Sequence, residues 1–407
     1  MRDREAGAEY ERYREIFRKE RLPLAFVDLE KFDRNVVYVA STQRGTGKTI
    51  RVHSKSIRCP ALLRRILDQG GQVFRGVMTY TLEETAFLAE LGFDDFLVSY
   101  PTVQSADLRV MARLTSEGKR VSLVVDCLDH LRVLSEEGIR AGVVLQACLE
   151  VDLSYRPLKT PLHLGVRRRP IRSAEEALTL ARESRRLPGV AIGSLMGYEA
   201  HIAGVNDDLP GARWKNRLVR AVKKASIREL TRRRVDIVSE LRREGLDIRI
   251  VNGGGSGSLL STARDPSVTE VTAGSAFYAP GLFHHFREVS FVPAAFFALQ
   301  VVRRPAPDLI ACHGGGYVAS GPPGPDRLPV PVLPPGLQYL SLEGAGEVQT
   351  PLRLPGPGLA LRLGDPVFFQ HAKAGELAER FNEFFLVKGT EVVDRVKTYR
   401  GQGRAFL

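Results

Sequence analysis

The sequence has few cysteines, and none of them form close pairs. Four cysteines are spread over 407 residues without a C-x-x-C spacing, namely Cys59, Cys127, Cys148 and Cys312. The chain also opens without an apolar secretory segment. Disulfide-rich secreted proteins have closely spaced cysteines and a secretory segment. Because this sequence has neither, we expect free thiols in a reducing, cytoplasmic compartment.

The sequence also lacks an apolar run long enough to cross a bilayer. Its longest one, FVPAAFFALQVV from Phe291, is too short for a transmembrane helix and suits a buried strand. Hydrophobic residues make up 43% and charged residues 26% of the chain, which is typical of a soluble globular protein. We therefore expect no membrane partner, and the length is sufficient for two domains.

Features of nucleic-acid binding are missing as well. The formal net charge is +12, yet the chain has no basic tail and no stripe of basic and aromatic residues. The basic residues form short clusters instead, as at 167–169, 223–224 and 232–234. Anionic small molecules or a solvated arginine-rich surface explain this charge, and we expect no nucleic-acid partner.

A complete phosphate-binding loop is absent too, although GTGKT at 45–49 resembles the end of one. Such a loop needs G-x-x-x-x-G-K-[ST] between a strand and a helix. The position of the first glycine is occupied by Thr42, and the residues that follow, IRVHS, alternate like a strand. GTGKT therefore indicates a flexible turn that leads into a strand.

Apolar strands and amphipathic helices alternate over about 260 residues. After a charged helix at 3–20, strands are predicted at LAFVDL, IRVHS, QVFRGVMT, DFLVSY, RVSLVVD, VVLQACLEVDL, VAIGSLMGYE, DIRIVNGG and SVTEVTAGS. This alternation predicts an α/β fold, a (β/α)₈ TIM barrel with LAFVDL as its first strand. A doubly wound open sheet is the alternative, but no glycine fingerprint follows the first strand.

The texture changes after residue 286, where proline and glycine become frequent and short β-type runs appear. These features predict a C-terminal all-β domain. We expect a helical extension at 1–22, the barrel at 23–285 and the β domain at 286–407.

Barrel enzymes carry their chemistry where the strands end. The second predicted strand ends at His53-Ser54-Lys55. A lysine there is costly to bury unless it is paired, neutral or covalently used, and a lysine that reaches solvent is the alternative. A later strand ends with Tyr198 and His201, which offer a phenol and an imidazole, although a structural histidine is the simpler interpretation.

Two glycine-rich strand ends suit an anion. VNGGGSGS at 251–258 exposes backbone N–H groups after a buried strand, and Ala273-Gly274-Ser275 follows the next strand. A tight turn is the alternative for each alone. Phosphate sites of barrels lie after the last strands, so a lysine opposite this cradle suggests pyridoxal phosphate (PLP) held as a Schiff base.

In the β domain, GDPVFFQHAKAGE places His371, Lys373 and Glu376 just beyond a strand. A metal site would need a second ligand near the histidine, and the ammonium group of Lys373 repels a cation. The alternative is a solvated turn that opens a helix over GELAERFNEFF.

These segments together resemble the fold-type III PLP enzymes, in particular the D-threonine aldolase and D-serine dehydratase group. RVHSKSIRCP is similar to R-P-H-x-K-T-H-K-C-P, MGYEAH to G-Y-x-G-H, VNGGGSGS to T-G-G-G-T-G, and TEVTAGSAF to T-E-x-x-x-G-S-Y. The resemblance implies that Lys55 is the Schiff-base lysine. The cofactor-site residues that it implies besides Lys55 are His53, His163, Tyr198, Asn252, Gly254, Gly255, Ser256, Gly257, Gly274 and Ser275.

The chain departs from this group at three points. His163, in HLGV after the insertion DLSYRPLKTP, stands where the group has an arginine that approaches the pyridine ring. Ala276 replaces the tyrosine of G-S-Y. The metal motif His-x-Cys or His-x-Asp becomes His371-Ala372-Lys373, so His371 is the one candidate metal ligand, and we expect no divalent metal.

The resemblance implies a PLP-dependent lyase that acts on a β-hydroxy amino acid of D configuration, through retro-aldol cleavage or dehydration. His201 and His371 are the candidates for proton transfer, and Lys373, with Glu376 as counter-ion, is the candidate to replace the metal. A racemase or epimerase, with Tyr317 as a conceivable second base, and a non-catalytic PLP-binding protein are the alternatives. We expect a homodimer.

Overall fold

The structure is a computed structural model that describes residues 2–157, 162–168, 171–356 and 358–406. The helices are α1 (Arg2–Ile16), α2 (Leu29–Ser41), α3 (Pro60–Gly70), α4 (Leu82–Glu90), α5 (Ser105–Ser116), α6 (Leu128–Ala141), α7 (Ala174–Ser184), α8 (Ala200–Ala203), α9 (Arg213–Arg243) and α10 (Leu259–Ala263). The first nine strands are β1 (Leu24–Asp28), β2 (Thr49–His53), β3 (Phe74–Thr79), β4 (Phe96–Val98), β5 (Val121–Val125), β6 (Leu145–Glu150), β7 (Val190–Gly197), β8 (Ile250–Gly253) and β9 (Glu270–Ala273). The others are β10 (Ala295–Ala306), β11 (Leu309–His313), β12 (Val330–Leu333), β13 (Gln338–Tyr339), β14 (Gln349–Arg353), β15 (Pro366–Gln370), β16 (Glu383–Lys388) and β17 (Glu391–Lys397).

Strands β2 to β9 form a closed parallel barrel, in which β9 pairs with β2. Val52 on β2 lies opposite Val77 on β3 and Ala273 on β9, and all three are buried. The predicted (β/α)₈ barrel is therefore confirmed. Because all eight strands run in the same direction, their C-terminal ends share one rim, and the loops after β2, β8 and β9 are neighbours there.

The second unit is a sheet with the strand order β13-β14-β11-β10-β1-β16-β17, and β15 pairs with both β10 and β12. The longest apolar run of the sequence forms part of β10, as the sequence suggested. Helix α1 packs on this sheet, where Tyr13 and Phe17 contact Phe26 with ring centroids 4.7 and 4.8 Å apart.

Two expectations about these strands were wrong. LAFVDL, predicted as the first barrel strand, is β1, which pairs antiparallel with β10 and parallel with β16 in the sheet. Its uniformly apolar pattern predicts burial on both faces but does not identify its partners. The helix predicted over GELAERFNEFF is a short 3₁₀ turn at Ala374–Glu379 followed by β16, whose pairing with β1 and β17 overrides its helical propensity. The proposed boundaries at residues 22 and 285 stay a prediction.

Residues 45–48 of GTGKT lie in the turn between α2 and β2, and Thr49 begins β2, which agrees with the predicted turn that leads into a strand. Gly45 and Gly47 have φ angles of 76° and 71°, which glycine adopts easily. Lys48 donates a hydrogen bond to the backbone oxygen of Asp265, so its side chain is used in packing. No helix among the described residues is long and apolar enough to span a membrane.

Candidate active site

Lys55 lies directly after β2, in the 3₁₀ turn Ser54–Ser56 at the rim of the barrel. Ser54 Oγ donates to the backbone oxygen of Met78 at 2.9 Å, and His53 Nδ1 lies 3.1 Å from the same oxygen. These contacts attach the turn to β3. The side chain of Lys55 itself is reached by solvent, within a recess that protein groups surround.

The charges around Lys55 favour its neutral amine. The pKa of Lys55 is lowered from its ordinary value, first because the surrounding protein removes water and then because Lys373, Arg58 and Arg168 are cations. Glu376 opposes this effect. A neutral amine is the form that attacks a carbonyl, so the environment suits a lysine that forms a covalent bond.

In the glycine loop after β8, some of the N–H groups that were predicted to bind an anion donate to protein groups. Gly254, with φ 78°, donates to Glu199 Oε2 at 2.6 Å, and Gly255 donates to Ser258 Oγ at 3.1 Å. Ser256 and Gly257 begin a 3₁₀ turn, and the first N–H groups of a helical turn have no acceptor within it. Those two donors are therefore the ones that an anion can use.

A buried network of ion pairs supports the glycine loop after β8. Arg234 pairs with Glu199 and, at 2.8 Å, with Asp265, and all three side chains are buried. The guanidinium group compensates two carboxylates that would otherwise be costly to bury. Sequence reasoning missed Glu199, although an acid that directly follows a buried strand, between Tyr198 and His201, was a usable signal.

The loop after β9 contacts both the glycine loop after β8 and the Lys55 turn. Ser256 Oγ accepts hydrogen bonds from the N–H groups of Gly274 at 3.2 Å and Ala276 at 3.0 Å. A Cβ at Gly274 would lie 2.6 Å from Ser56 Oγ and 3.1 Å from His53 Cβ. The structure thus brings the predicted lysine turn and both glycine loops into contact.

Two other residues of the predicted cofactor set, Asn252 on β8 and Ser275 after β9, are buried. Asn252 donates to Glu270 Oε1 at 2.7 Å and accepts from Thr272 at 2.9 Å, so its side chain is engaged inside the barrel. Ser275 is 9% exposed beside Gly274. These partners make Asn252 a structural support of β8, while its predicted role toward a cofactor stays a prediction.

Arg168 is the cation that reaches the site from the loop after β6. It pairs with Glu150, and its guanidinium carbon lies 5.6 Å from the centroid of the Tyr198 ring. The charge of Arg168 also lowers the pKa of Lys55. His163, predicted at the arginine position, instead places Nε2 3.2 Å from the backbone oxygen of Val166. Residues 158–161 of the unusual insertion lie outside the described part of the chain.

His201 lies on α8 and not on the strand that was expected to carry it. Its Nε2 is 2.5 Å from Ser226 Oγ, whereas its Nδ1 is buried and has no hydrogen-bond partner among the described residues. Burial lowers the pKa of His201 to about 4, although Glu199 acts in the opposite direction. The imidazole is therefore neutral near pH 7.

The β unit supplies a second wall, which carries Lys373 and Glu376. Lys373 Nζ donates to the backbone oxygen of Ser320 at 3.1 Å and to its Oγ at 2.6 Å, and Ser320 Oγ donates to Glu376 at 2.5 Å. Lys373 and Glu376 are 3.9 Å apart, which agrees with the expected ion pair. A cavity of about 330 Å³ borders this group and is also lined by Tyr317 and Arg380.

This wall touches the lysine turn directly. A Cβ at Gly375 would lie 2.5 Å from the backbone oxygen of Lys55. Only a residue without a side chain allows this approach, and it brings Lys373 close enough to affect the pKa of Lys55. The sequence placed these residues on separate domains and gave no sign of the contact.

His371 is buried and lines the same cavity. Its Nε2 donates to the backbone oxygen of Ala374 at 2.8 Å, and burial lowers the pKa of His371 to about 4. Among the described residues, one group of three side chains has the spacing of metal ligands, namely Asp126, Cys127 and His130. His371 is not part of that group.

A parallel barrel with a lysine at one strand end and free N–H donors on the neighbouring glycine loops is the arrangement of a covalent PLP site. The family described as alanine racemase, N-terminal domain, matches residues 27–280, and the chain belongs to that family. This membership confirms the resemblance to the fold-type III enzymes.

Individual relatives support the same group. The D-threonine aldolase of Arthrobacter sp is 26% identical over 359 residues, which cover 86% of this chain and 87% of that protein. The crystal structure of D-threonine aldolase from Filomicrobium marinum gives a TM-score of 0.80 at 22% identity, over 95% of this chain and 96% of that one. For D-threo-3-hydroxyaspartate dehydratase from Delftia sp. HT23 the TM-score is 0.73 at 18% identity, over 93% and 98%. The two structural likenesses show a shared fold.

Proposed function

We propose that the protein is a PLP-dependent lyase that cleaves the Cα–Cβ bond of a β-hydroxy amino acid, with D configuration as the favoured case. One observation carries this proposal, namely that Lys55 stands at a strand end among cations, in a turn that contacts the glycine cradle through Gly274. The relatives named D-threonine aldolase support the reaction class.

The residues of the site fit PLP. Lys55 would bind its aldehyde, and the N–H groups of Ser256 and Gly257 would bind its phosphate. Arg168, whose guanidinium carbon lies 5.6 Å from the centroid of the Tyr198 ring, would supply a cation to the bound cofactor. Bound PLP supplies an electron sink for the carbanion left at Cα.

Cleavage requires a group that removes the proton of the β-hydroxyl. We propose His201 for this step in the tautomer whose Nε2–H donates to Ser226, because Nδ1 then carries a lone pair without a partner and the low pKa keeps the ring neutral. The hydroxyl proton moves to Nδ1, the Cα–Cβ electron pair stays at Cα, and the β-carbon leaves as a carbonyl. His371 is the second candidate, because its Nδ1 also has no hydrogen-bond partner among the described residues and burial lowers its pKa to about 4 as well.

Lys373 would orient the substrate without a metal. An ammonium group has three donors, and two of them go to Ser320. The remaining N–H can donate to the β-hydroxyl or to a carboxylate of the substrate. The expected homodimer and cytoplasmic location are parts of this proposal.

The proposal is tested by a screen for carbonyl products over D- and L-β-hydroxy amino acids, with the Lys55→Ala variant as control. We expect an aldehyde from a D substrate, with and without EDTA. A keto acid with ammonia as products would assign dehydration instead. Exchange of the Cα hydrogen in D₂O without any carbonyl product would assign racemisation and contradict the proposal.

A further inference from the structure

Arg58 combines a strained backbone with a buried charge, three residues after the candidate Schiff-base lysine. Its φ angle is 49°, in the left-handed region, and it is 7% exposed. A residue with a side chain is strained in this conformation and persists there only where its surroundings hold it. Neither the sequence reasoning nor the proposed mechanism uses this arginine.

The contacts of Arg58 join three parts of the molecule at the Lys55 turn. Its Nε donates to the backbone oxygen of Lys55 at 3.0 Å, and its Nη1 pairs with Glu379 of the β unit at 2.6 Å. Its backbone oxygen accepts from the N–H of Tyr399 at 2.9 Å. The turn is therefore fixed on its outer side by a residue that the β unit holds in place.

The guanidinium group is also one of the charges that Lys55 experiences. The charged groups with the largest effect on the Lys55 amine are Lys373, Arg58, Arg168 and Glu376, and Lys55 in turn acts on His53. Lys373 has the larger effect on the pKa of Lys55, whereas Arg58 also binds the lysine's own backbone oxygen. Glu379 partly neutralises Arg58, and the buried carboxyl group of Glu84 also lies within its influence.

We propose that Arg58 is a positioning residue for Lys55, which fixes the lysine turn against the β unit and holds a permanent positive charge beside the lysine amine. This inference rests on the proposed role of Lys55. A nearby cation disfavours the ammonium form, so Arg58 increases the fraction of Lys55 that is neutral at a given pH. The strained backbone serves to keep the guanidinium group at this place.

The test measures the ionisation of Lys55 in the full-length chain after removal of any PLP. The reaction of Lys55 with acetic anhydride is followed against pH by peptide mass spectrometry. Because Arg58→Gln removes a cation, we expect the midpoint to rise by about one pH unit. Because Glu379→Gln removes the counter-ion of Arg58, we expect its midpoint to fall.

Two further variants serve as controls. Arg58→Lys keeps the charge, and its midpoint should stay near that of the wild type. Arg58 lies over the ring of Tyr80 and Arg64 over the ring of Phe93, but Arg64 is not among the charges with the largest effect on Lys55. Arg64→Gln should therefore leave the midpoint unchanged.

Opposite shifts for Arg58→Gln and Glu379→Gln support the proposal, because a general loosening of the turn would move both midpoints in the same direction. Equal directions, or an unchanged midpoint in Arg58→Gln, overturn it. If Arg58→Gln does not fold, the fall expected for Glu379→Gln decides alone. The measurement needs neither cofactor nor substrate. Failure of the protein to bind PLP would therefore contradict the proposed function without changing the result of the lysine titration.

Discussion

Gly254 donates its backbone N–H to the carboxylate of Glu199 at 2.6 Å, within a loop that we assign to a phosphate anion. A carboxylate so close to an anion site is electrostatically unfavourable unless it is compensated, and Arg234 compensates it. We infer that Glu199 shapes the loop. It holds Gly254 at a positive φ angle, and the N–H groups of Ser256 and Gly257 follow from that conformation.

Replacement of Glu199 by alanine should weaken PLP binding. The variant leaves the N–H of Gly254 without its acceptor, and the loss of a hydrogen bond to a charged group costs about 1.5–3 kcal/mol. We expect the dissociation constant of PLP to rise about 10- to 100-fold, as measured by absorbance titration. Pyridoxal, which has no phosphate, is the control ligand and should be affected much less. Equal losses for both ligands would show that Glu199 does not act on the phosphate loop.

Gly257 should tolerate no side chain. A Cβ there would lie 2.3 Å from both the backbone oxygen of Ala203 and the ring of Phe286. We expect Gly257→Ala to lower the unfolding free energy by about 1–3 kcal/mol and to weaken PLP binding, as measured by urea denaturation and titration. Gly7→Ala is the matched control, because no atom lies within 4 Å of its added Cβ. A Gly257→Ala protein with normal stability and affinity would refute the assigned cradle.

Lys373 should affect the reaction more than the fold. Its side chain is partly exposed and bonds mainly to Ser320, so Lys373→Met should change the melting temperature little. We expect kcat/KM for the best β-hydroxy substrate to fall at least about tenfold, because one oriented donor to the substrate is lost. Lys373→Arg should retain part of the activity. If EDTA abolishes wild-type activity and a divalent ion restores it, the assignment of Lys373 in place of a metal is wrong.

Glu84 should make stability depend on pH. It is buried, accepts from the N–H of Tyr80 and the hydroxyl of Tyr399, and burial raises its pKa to about 7 from 4.5. Between pH 4.5 and 7 the folded state therefore keeps a proton that the unfolded state has released. The resulting contribution to the free energy of unfolding is complete below about pH 4.5 and is lost as pH rises through 7. It is at most about 3 kcal/mol.

Melting temperatures from pH 5 to pH 8 provide the test. The wild type should lose more stability over this range than Glu84→Gln, which keeps a neutral side chain of the same shape. Parallel curves for the two proteins would mean that the carboxyl group titrates outside this window.

The sequence predicted the barrel because apolar strands alternate with helices over about 260 residues, and it predicted Lys55 because barrel chemistry lies at strand ends. It misplaced β1, since a uniformly apolar strand such as Leu24–Asp28 does not indicate which sheet receives it. The contact between Gly375 and the Lys55 turn was also invisible. It depends on how two units pack over 300 residues apart in the chain, and no local pattern encodes that.

The position of Arg168 in the site was also not predicted from the sequence. The cluster at 167–169 was explained by anionic small molecules or by a solvated surface, without a place in the site, and Arg168 lies beside Tyr198 and acts on Lys55. Alignment by motif pointed to His163, because the spacing of the loop differs from that of the group. A guanidinium group can enter a site from any position of a loop, so residue spacing alone does not identify it.

The central claim is that Lys55 binds PLP covalently, and reduction with borohydride tests it most directly. The protein is incubated with PLP, reduced, digested and analysed by peptide mass spectrometry. We predict one modified peptide, which contains Lys55, and no visible absorbance of bound PLP in Lys55→Ala. A wild-type protein that stays colourless with PLP, or a label on Lys48 or Lys373 in place of Lys55, would contradict the account.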